Sequence, residues 1–293
     1  MCSNNGMDGG VHNDRDSGRD GSAEEMNPEQ LRGVAVRVAA EAAQVAGRLR
    51  PSAITQVRTK SSATDPVTAA DTATEELLRA RLAELRPADA ILGEEGGLSG
   101  NGRAVRPGQL CWLLDPIDGT VNYVYGFPWY AVSVAVTRDG VALAGAVVEP
   151  ASGRVWSASL GGGASLDGQP LRASSADRLD MALIGTGFSY ARDRRIRQGE
   201  LAAALLGRVR DIRRAGAASL DLCAVAAGWL DGYYEHATNP WDWAAGALVA
   251  TEAGAVVHPP DPAAAYGDAI VAAAPGISDE LSGLLAELGG AGI

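Results

Sequence analysis

The sequence predicts a mixed fold in which an α+β half, residues 27–172, precedes an α/β half, residues 173–293. Two observations predict it. Between residues 131 and 168, short apolar segments alternate with turn signals such as Asp139-Gly140, a pattern typical of antiparallel hairpins. After residue 172, strand-like and helix-like segments alternate along the chain, which is typical of an α/β unit.

The chain begins with a polar segment and then a strong helix signal. Residues 1–26 are rich in Gly, Asp, Asn and Arg, and they bury too little apolar surface to fold, so we expect a disordered leader. Residues 27–30, Asn-Pro-Glu-Gln, combine an N-cap, a first-turn proline and a capping-box glutamine. Apolar residues at spacings of three and four then predict an amphipathic helix that Pro51 ends.

The rest of the first half is predicted to contain a second helix and five apolar strands, two of which lead into acidic residues. A second helix begins near Asp71, and Pro87 stops it. Five strands are predicted at residues 90–92, 110–114, 131–137, 141–148 and 154–157. The first strand leads into Glu94-Glu95, and the second delivers Asp115.

The second half is predicted to contain three strands and three helices. The strands lie at residues 182–186, 211–214 and 233–234, and the helices at 200–209, 220–228 and 243–253. The Arg-rich segment at residues 192–197 is interpreted as a solvated face before the first of these helices.

Composition excludes several classes of protein. The net charge of −11 argues against non-specific binding of nucleic acid or of an anionic membrane. Three cysteines, Cys2, Cys111 and Cys223, have no short spacing, which indicates free thiols in a reducing compartment. No apolar run approaches the roughly 18 residues that cross a bilayer. We therefore expect a cytoplasmic protein without nucleic-acid or membrane partners.

Three groups of acids follow predicted strands or turns: Glu94-Glu95, the pair Asp115 and Asp118, and Asp242 between two tryptophans. Magnesium prefers carboxylate oxygens, one or two per ion, together with water and phosphate. Clustered acids in a poorly solvated setting repel one another unless a cation joins them. The pattern therefore predicts a magnesium site.

The segment from Asp115 to Thr120 concentrates this chemistry. Asp115 and Asp118 can converge on one pair of cations, and the carbonyl of Ile117 can add a neutral oxygen ligand. Gly119 and Thr120 open a short predicted helix, whose first amides have no partner inside the helix and favour an anion. Ligands for a metal and for a phosphate thus meet within six residues.

Five segments together resemble the inositol monophosphatase family, in particular its bacterial members of the actinobacterial type. They are residues 67–71 (Val-Thr-Ala-Ala-Asp), 93–95 (Gly-Glu-Glu), 112–123 (Trp-Leu-Leu-Asp-Pro-Ile-Asp-Gly-Thr-Val-Asn-Tyr), 216–223 (Gly-Ala-Ala-Ser-Leu-Asp-Leu-Cys) and 241–246 (Trp-Asp-Trp-Ala-Ala-Gly), the last followed by Glu-Ala-Gly at 252–254. The resemblance covers about residues 28–290 and keeps the family's order of motifs.

The resemblance implies a layered αβαβα sandwich with the site between the two halves. It implies a magnesium-dependent phosphomonoesterase that hydrolyses myo-inositol 1-phosphate with a metal-activated water. Two or three Mg²⁺ ions per site, sensitivity to lithium and a homodimer are further family expectations.

The resemblance also assigns ligands. The first magnesium would take Glu94, Asp115 and the carbonyl of Ile117. The second would take Asp115, Asp118 and Asp242. Together these five residues form the expected metal set.

The remaining roles are implied in the same way. Asp71 would bind the hydroxyl of Thr120, and with Glu94 they would position and deprotonate the attacking water. The expected substrate-binding residues are Gly119, Thr120, Gly216, Ala217, Glu235 and Asp242. Lys60 resembles a flexible-loop base that approaches the phosphate and a third, weaker metal position.

Several alternatives stay open. A sister phosphatase acting on histidinol phosphate, fructose 1,6-bisphosphate or 3′-phosphoadenosine phosphate would use the same acids, because specificity lies in loops. A regulatory or scaffolding protein with a vestigial site is the alternative outside enzymes. Trp129 departs from the family pattern and could narrow the pocket or pack against a second subunit.

Overall fold

The computed structural model describes residues 26–55, 57–60, 66–99 and 104–293. All but the last residue of the predicted leader, 1–26, therefore lies outside the described residues. The helices are α1 (Pro28–Ala53), α2 (Ala69–Leu85), α3 (Thr120–Tyr125), α4 (Arg192–Leu206), α5 (Ala218–Ala226), α6 (Pro240–Glu252) and α7 (Ser278–Glu287), with short 3₁₀ helices at Leu179–Met181 and Gly290–Gly292.

Most of the strands belong to two large sheets. The strands are β1 (Arg58–Thr59), β2 (Pro66–Val67), β3 (Ala90–Gly93), β4 (Gly97–Leu98), β5 (Leu110–Asp118), β6 (Ala131–Arg138), β7 (Val141–Val148), β8 (Val155–Ser159), β9 (Gly163–Leu166), β10 (Gln169–Pro170), β11 (Leu183–Thr186), β12 (Asp211–Arg213), β13 (Gly232–His236), β14 (Val256–His258) and β15 (Ala269–Ala273). β1 and β2 form a separate antiparallel pair.

The first large sheet has the order β10-β9-β8-β7-β6-β5-β3-β4 and is antiparallel except where β3 pairs with β5. The predicted hairpin pattern of the first half is thereby confirmed. The second sheet has the order β12-β11-β13-β15-β14. In it β12, β11 and β13 run parallel, whereas β15 and β14 pair antiparallel.

The five layers pack together through large apolar cores. α1 and α2 pack on one face of the eight-stranded sheet, through residues such as Leu31, Leu78 and Trp112. α5 and α6 fill the space between the two sheets. α4 and α7 cover the outer face of the five-stranded sheet, around Leu205 and Leu281. The predicted αβαβα sandwich is confirmed, and burial of these apolar faces is what drives the layering.

Two predicted boundaries are wrong. α1 continues through Pro51 to Ala53, because the amide of Ile54 donates to the carbonyl of Arg50 at 3.2 Å and completes the last turn. α4 begins at Arg192 rather than at residue 200, so the Arg-rich segment at 192–197 forms its start, and most of that segment is exposed, as predicted. Arginine favours helix, and the segment keeps its charges in solvent.

Other predictions were incomplete. α6 begins at Pro240 rather than at residue 243, which places Asp242 inside its first turn. The sequence reading made no prediction for β14, β15 and α7. Cys111 and Cys223 are buried free thiols, as predicted, whereas Cys2 lies outside the described residues. Within the described ranges, no helix is long and apolar enough to cross a membrane.

Candidate active site

The acidic turn after β3 is fixed by a buried carboxylate from α2. The amides of Glu95 and Gly96 each donate to the carboxylate of Glu75 at 2.8 Å. Arg79, one helical turn further on, donates to Glu75 Oε1 at 2.7 Å. A Cβ at Gly93 would lie 2.3 Å from Glu75 Oε1, so only glycine fits there. Glu75 therefore holds the turn that presents Glu94 and Glu95.

Glu75 was not predicted as a site residue. Its signal in the sequence is an acid on the face of α2 that also carries Leu78 and Leu82, at spacings of three and seven. All three side chains are buried. An acid on a buried face needs hydrogen-bond donors, and the turn after β3 supplies them.

The end of β5 carries two acids, Asp115 and Asp118, one on each side of a break in the strand pairing. Its pairing with β6 shifts register between Asp115 and Asp118. The amide of Ile117 donates to Asp115 Oδ1 at 3.0 Å, which tightens the bend. Asp118 is held from the second half, because the amide of Ser219 donates to its Oδ2 at 2.8 Å and the Ser219 hydroxyl donates to the same oxygen.

α3 starts directly after these acids. Gly119 is its N-cap with φ of 85°, a left-handed conformation that favours glycine. A Cβ there would also lie 3.0 Å from the carbonyl oxygen of Trp129. Thr120, the first helical residue, has its Oγ1 3.0 Å from the carbonyl of Ile117 and 3.3 Å from Asp71 Oδ1.

Asp71 serves both α2 and Thr120. Its Oδ2 accepts hydrogen bonds from the amide and the hydroxyl of Thr68, at 2.8 Å and 2.6 Å, which closes a capping box at the start of α2. Its Oδ1 faces Thr120. The contact with Thr120 that the resemblance implied is present, alongside the helix cap.

Asp242 lies in the first turn of α6, between the two sheets. Its Oδ2 accepts a hydrogen bond from the amide of Asn239 at 2.7 Å, as part of a second capping box. Asp242 is therefore held by its own helix, and its position depends on the packing of α6 between the layers.

A cavity of about 310 Å³ brings most of the predicted residues together. Predicted residues that line it are Glu94, Ile117, Asp118, Gly119, Thr120, Gly216, Glu235 and Asp242. Asp71 and Asp115 are buried and are not among the lining residues. Ala217 is also buried behind the wall, and its neighbour Ala218 lines the cavity instead.

Burial and neighbouring charges raise the pKa values of three of the acids. Burial raises the pKa of Asp115 well above its usual range, and the charges of Glu94, Asp118 and Asp242 raise it further. Burial also raises the pKa of Asp118 to about 7, against the hydrogen bonds from Ser219. Burial is again the main cause of the raised pKa of Asp242. Ionising these groups together is costly unless positive charge joins them.

The donor set fits a hard divalent cation, which prefers oxygen ligands. Over the described ranges, however, no three His, Cys, Asp or Glu side chains form a ready ligand set. The side chains are engaged elsewhere: Glu94 with Lys60, Asp118 with Ser219 and Asp242 with Asn239. These contacts use one oxygen of each carboxylate: Oε1 of Glu94, Oδ2 of Asp118 and Oδ2 of Asp242.

Lys60 provides the positive charge beside the acidic turn. Its Nζ lies 2.8 Å from Glu94 Oε1 and 2.5 Å from Glu95 Oε1. Burial acts to lower the pKa of Lys60, but the charges and hydrogen bonds of Glu94 and Glu95 outweigh it, and the pKa is raised. Lys60 and a metal ion would compete for Glu94.

Glu235 reaches the cavity from β13. The hydroxyl of Tyr233 donates to its Oε2. A Cβ at Gly187 would overlap the Glu235 carboxylate, so that glycine makes room for it. Burial raises the pKa of Glu235, whereas the charge of Arg214 acts to lower it.

Trp129 does not line the cavity. Its indole Nε1 donates to Asp221 Oδ1 at 3.1 Å. Asp221 is buried on α5, and it too was missed by the sequence reading. Burial raises the pKa of Asp221 well above its usual range, and the charge of Glu235 adds to the effect.

The five layers and the carboxylate-lined cavity define a class of αβαβα proteins with an acidic site between two sheets. Residues 27–288 match the family model described as the inositol monophosphatase family. The chain belongs to that family.

Three relatives illustrate the similarity. An inositol-1-monophosphatase of Mycobacterium leprae is 53% identical over 279 residues, which cover 90% of this chain and 96% of the relative. A Nus factor SuhB of Pseudomonas aeruginosa is 40% identical, covering 76% of this chain and 84% of the relative. The solved structure of Mycobacterium tuberculosis SuhB has a TM-score of 0.78 at 46% identity, covering 91% of this chain and 100% of that chain.

Proposed function

We propose that this protein is a magnesium-dependent phosphomonoesterase that hydrolyses myo-inositol 1-phosphate. The observation that carries the proposal is the grouping of four acids, Glu94, Asp115, Asp118 and Asp242, beside the first turn of α3. These acids come from β5, α6 and the turn after β3, so the fold itself gathers them.

The metal ligands follow from the resemblance and agree with the donor chemistry. Glu94, Asp115 and the carbonyl of Ile117 would hold one Mg²⁺. Asp115, Asp118 and Asp242 would hold another. When bound, the ions neutralise charge on the phosphoryl group and lower the pKa of water at the site.

Thr120 and Asp71 would orient the attacking water. The hydroxyl of Thr120 has one hydrogen and two acceptors, the carbonyl of Ile117 and Asp71 Oδ1. Because the Ile117 carbonyl is a proposed ligand, its use leaves Asp71 as the acceptor. Thr120 Oγ1 would then accept a hydrogen bond from the water, and Glu94 would take the water's proton. Burial raises the pKa of Asp71, which favours a shared proton there.

The phosphate and the leaving group are bound by different elements. The amides of Gly119 and Thr120 have no partner inside α3 and would donate to phosphate oxygens. Glu235 would accept a hydrogen bond from a hydroxyl of the leaving polyol. Gly216 and Ala218 line the space between them.

Inositol 1-phosphate is favoured because the Mycobacterium leprae relative bears the name of that activity and matches 90% of the chain. The acids alone do not distinguish it from histidinol phosphate, fructose 1,6-bisphosphate or 3′-phosphoadenosine phosphate. A homodimer, a third Mg²⁺ near Lys60, inhibition by lithium and a cytoplasmic site of action stay predictions. Light scattering of the purified protein tests the dimer.

A regulatory role is the second candidate, and the Nus factor name of the Pseudomonas aeruginosa relative favours it. Such a role could accompany catalysis. The full set of acids argues against a purely regulatory protein, because uncompensated buried carboxylates are costly to retain.

Phosphate release tests the proposal. The purified protein is assayed with inositol 1-phosphate and the three alternative esters, with and without Mg²⁺, and with a lithium titration. We expect Mg²⁺-dependent release with preference for inositol 1-phosphate. Release from another ester alone would change the substrate, whereas release from none would leave the regulatory role.

A further inference from the structure

Three parallel strands of the five-stranded sheet end beside the cavity. Phe188 follows β11, Arg214 follows β12, and Glu235 lies near the end of β13. All three residues line the cavity. The carboxyl ends of parallel strands meet at one edge of a sheet, and that edge is where open α/β sheets bind ligands.

The Arg214 side chain is held by a neighbouring aromatic ring and not by an acidic partner among the described residues. Its guanidinium lies over the ring of Phe188, 5.8 Å from the centroid, a distance that allows cation–π attraction. A Cβ at Gly216 would lie 2.4 Å from Arg214 Nη1, so that glycine makes room for the guanidinium. Within the described part of the chain, Arg214 has no carboxylate within ion-pair distance.

The loop after Arg214 is tied to the phosphate side of the cavity. Asn122 in α3 donates from Nδ2 to the carbonyl of Ala215 at 2.9 Å and to that of Trp129 at 2.7 Å. The same helix begins with Thr120. Arg214 is thus fixed relative to the proposed phosphate site, not merely exposed on a mobile surface.

Arg214 and Glu235 offer opposite chemistry to the same cavity. Glu235 accepts hydrogen bonds when ionised, and Arg214 only donates them. The charge of Arg214 acts on the pKa of Glu235, yet the two side chains do not form an ion pair in the described structure. Two neighbouring hydroxyls can bridge such a pair, because one can donate to the carboxylate while the other accepts from the guanidinium.

We propose that Arg214, paired with Glu235, selects phosphate esters whose leaving group carries a neutral pair of neighbouring hydroxyls. The inference rests on the proposed phosphatase activity and narrows its substrate class. A second anionic group would gain from Arg214 but meet the buried Glu235 carboxylate. The pair therefore favours neutral polyols over bisphosphates.

The test compares two esters that differ in hydroxyls. Inositol 1-phosphate offers neighbouring hydroxyls, and cyclohexyl phosphate has none. Arg214→Ala should lower kcat/KM for inositol 1-phosphate by roughly ten- to a hundred-fold, the range for lost hydrogen bonds to a charged group, mostly through KM. For cyclohexyl phosphate it should change kcat/KM by less than about two-fold.

The matched control is Arg213→Ala. Arg213 is the neighbouring exposed arginine and pairs with Asp211 instead of facing the cavity. It should alter neither ester by more than about two-fold, as expected for an exposed ion pair. Arg214→Lys keeps the charge but loses the planar fork, so it should recover part of the activity on inositol 1-phosphate.

Glu235→Gln tests the role of the Glu235 charge in the proposed pair. Removing its charge should raise the ratio of fructose 1,6-bisphosphate to inositol 1-phosphate turnover, because Arg214 then acts alone. Equal losses on both esters in Arg214→Ala, or an unchanged ratio in Glu235→Gln, would overturn the inference. Wild-type protein inactive on every ester would instead overturn the proposed function.

Discussion

The two sheets contribute different kinds of side chain to one cavity. Acids reach it from the β3 and β5 ends of the eight-stranded sheet, and each is fixed by a partner such as Glu75 or Ser219. The five-stranded sheet contributes strand ends, where Arg214 is exposed and has no ion pair with the residues that the structure describes. The contrast teaches that the proposed metal ligands are held by hydrogen bonds inside the fold, whereas Arg214, which is proposed to discriminate substrates, can stand at a solvated edge.

The largest effect is expected from substitution of Asp242 by asparagine. This substitution removes a proposed metal ligand but keeps the side-chain cap of α6. Asp242→Asn should lower turnover of inositol 1-phosphate at least about a thousand-fold, since metal stabilisation of the transition state amounts to several kcal/mol. The fold should survive, because asparagine can still accept from the amide of Asn239. Steady-state kinetics and circular dichroism check both parts.

Asp193→Asn is the matched control for Asp242, because Asp193 is also a first-turn acid but is exposed. It should leave turnover unchanged. Near-normal turnover in Asp242→Asn would show that Asp242 is not a ligand.

The next effect tests how the acidic turn is held. Glu75→Ala leaves the amides of Glu95 and Gly96 without their acceptor, so the free energy of unfolding should fall by about 1–3 kcal/mol. The Mg²⁺ concentration for half-maximal activity should rise, because Glu94 is no longer positioned. Urea unfolding and Mg²⁺ titrations measure the two effects.

Glu75→Gln is the conservative partner of that variant. It keeps one acceptor oxygen and should recover part of both losses. A stability loss in Glu75→Ala with an unchanged Mg²⁺ dependence would make Glu75 purely structural.

A smaller effect should appear at Asp221, which is buried beside Trp129. Its raised pKa means that its stabilising contribution is complete below the unfolded value, roughly 4, and is lost as pH rises through the folded value. Asp221→Asn does not titrate and can still accept from Trp129. The variant should therefore gain stability relative to wild type as pH rises.

The Asp221 comparison is made by urea unfolding at pH 5 and pH 8 in EDTA. The gain should be larger at pH 8 than at pH 5, because the pKa of Asp221 is raised by burial. A difference independent of pH would contradict the assignment of a buried, titrating Asp221.

The smallest effect is expected at Lys60, which competes with metal for Glu94. Lys60→Gln should lower the Mg²⁺ concentration for half-maximal activity by about two- to five-fold, the equivalent of one partly exposed ion pair. A Mg²⁺ titration of activity measures it. A higher Mg²⁺ requirement would instead assign Lys60 to phosphate binding.

Local patterns predicted the hairpins and the location of the acids, whereas the layered αβαβα arrangement was implied by the family resemblance. Alternating apolar residues indicated the hairpins, and Asp115 to Thr120 combined acids with a helix start. Glu75, Ser219 and Asp221 were missed, since their roles arise from contacts between distant segments. Ser219 and Asp118 are separated by 101 positions, and no local period connects them.

The end of the chain was missed for another reason. β14, β15 and α7 are short and lie beyond residue 253, where the sequence has no strong period or motif. Ile270 of β15 and Leu281 of α7 are buried, and tertiary packing decides the structure of such short segments. Arg214 was missed as well, because nothing in the local sequence distinguishes it from the other arginines; its position in the cavity lining does.

The division between the sheets is tested most directly by kcat/KM of Asp115→Asn and Arg214→Ala on inositol 1-phosphate and cyclohexyl phosphate. Asp115 is a buried proposed ligand behind the cavity wall, so its variant should lose activity on both esters by a similar factor. Arg214→Ala should lose activity on inositol 1-phosphate alone. A changed ester ratio in Asp115→Asn together with an unchanged ratio in Arg214→Ala would contradict the division.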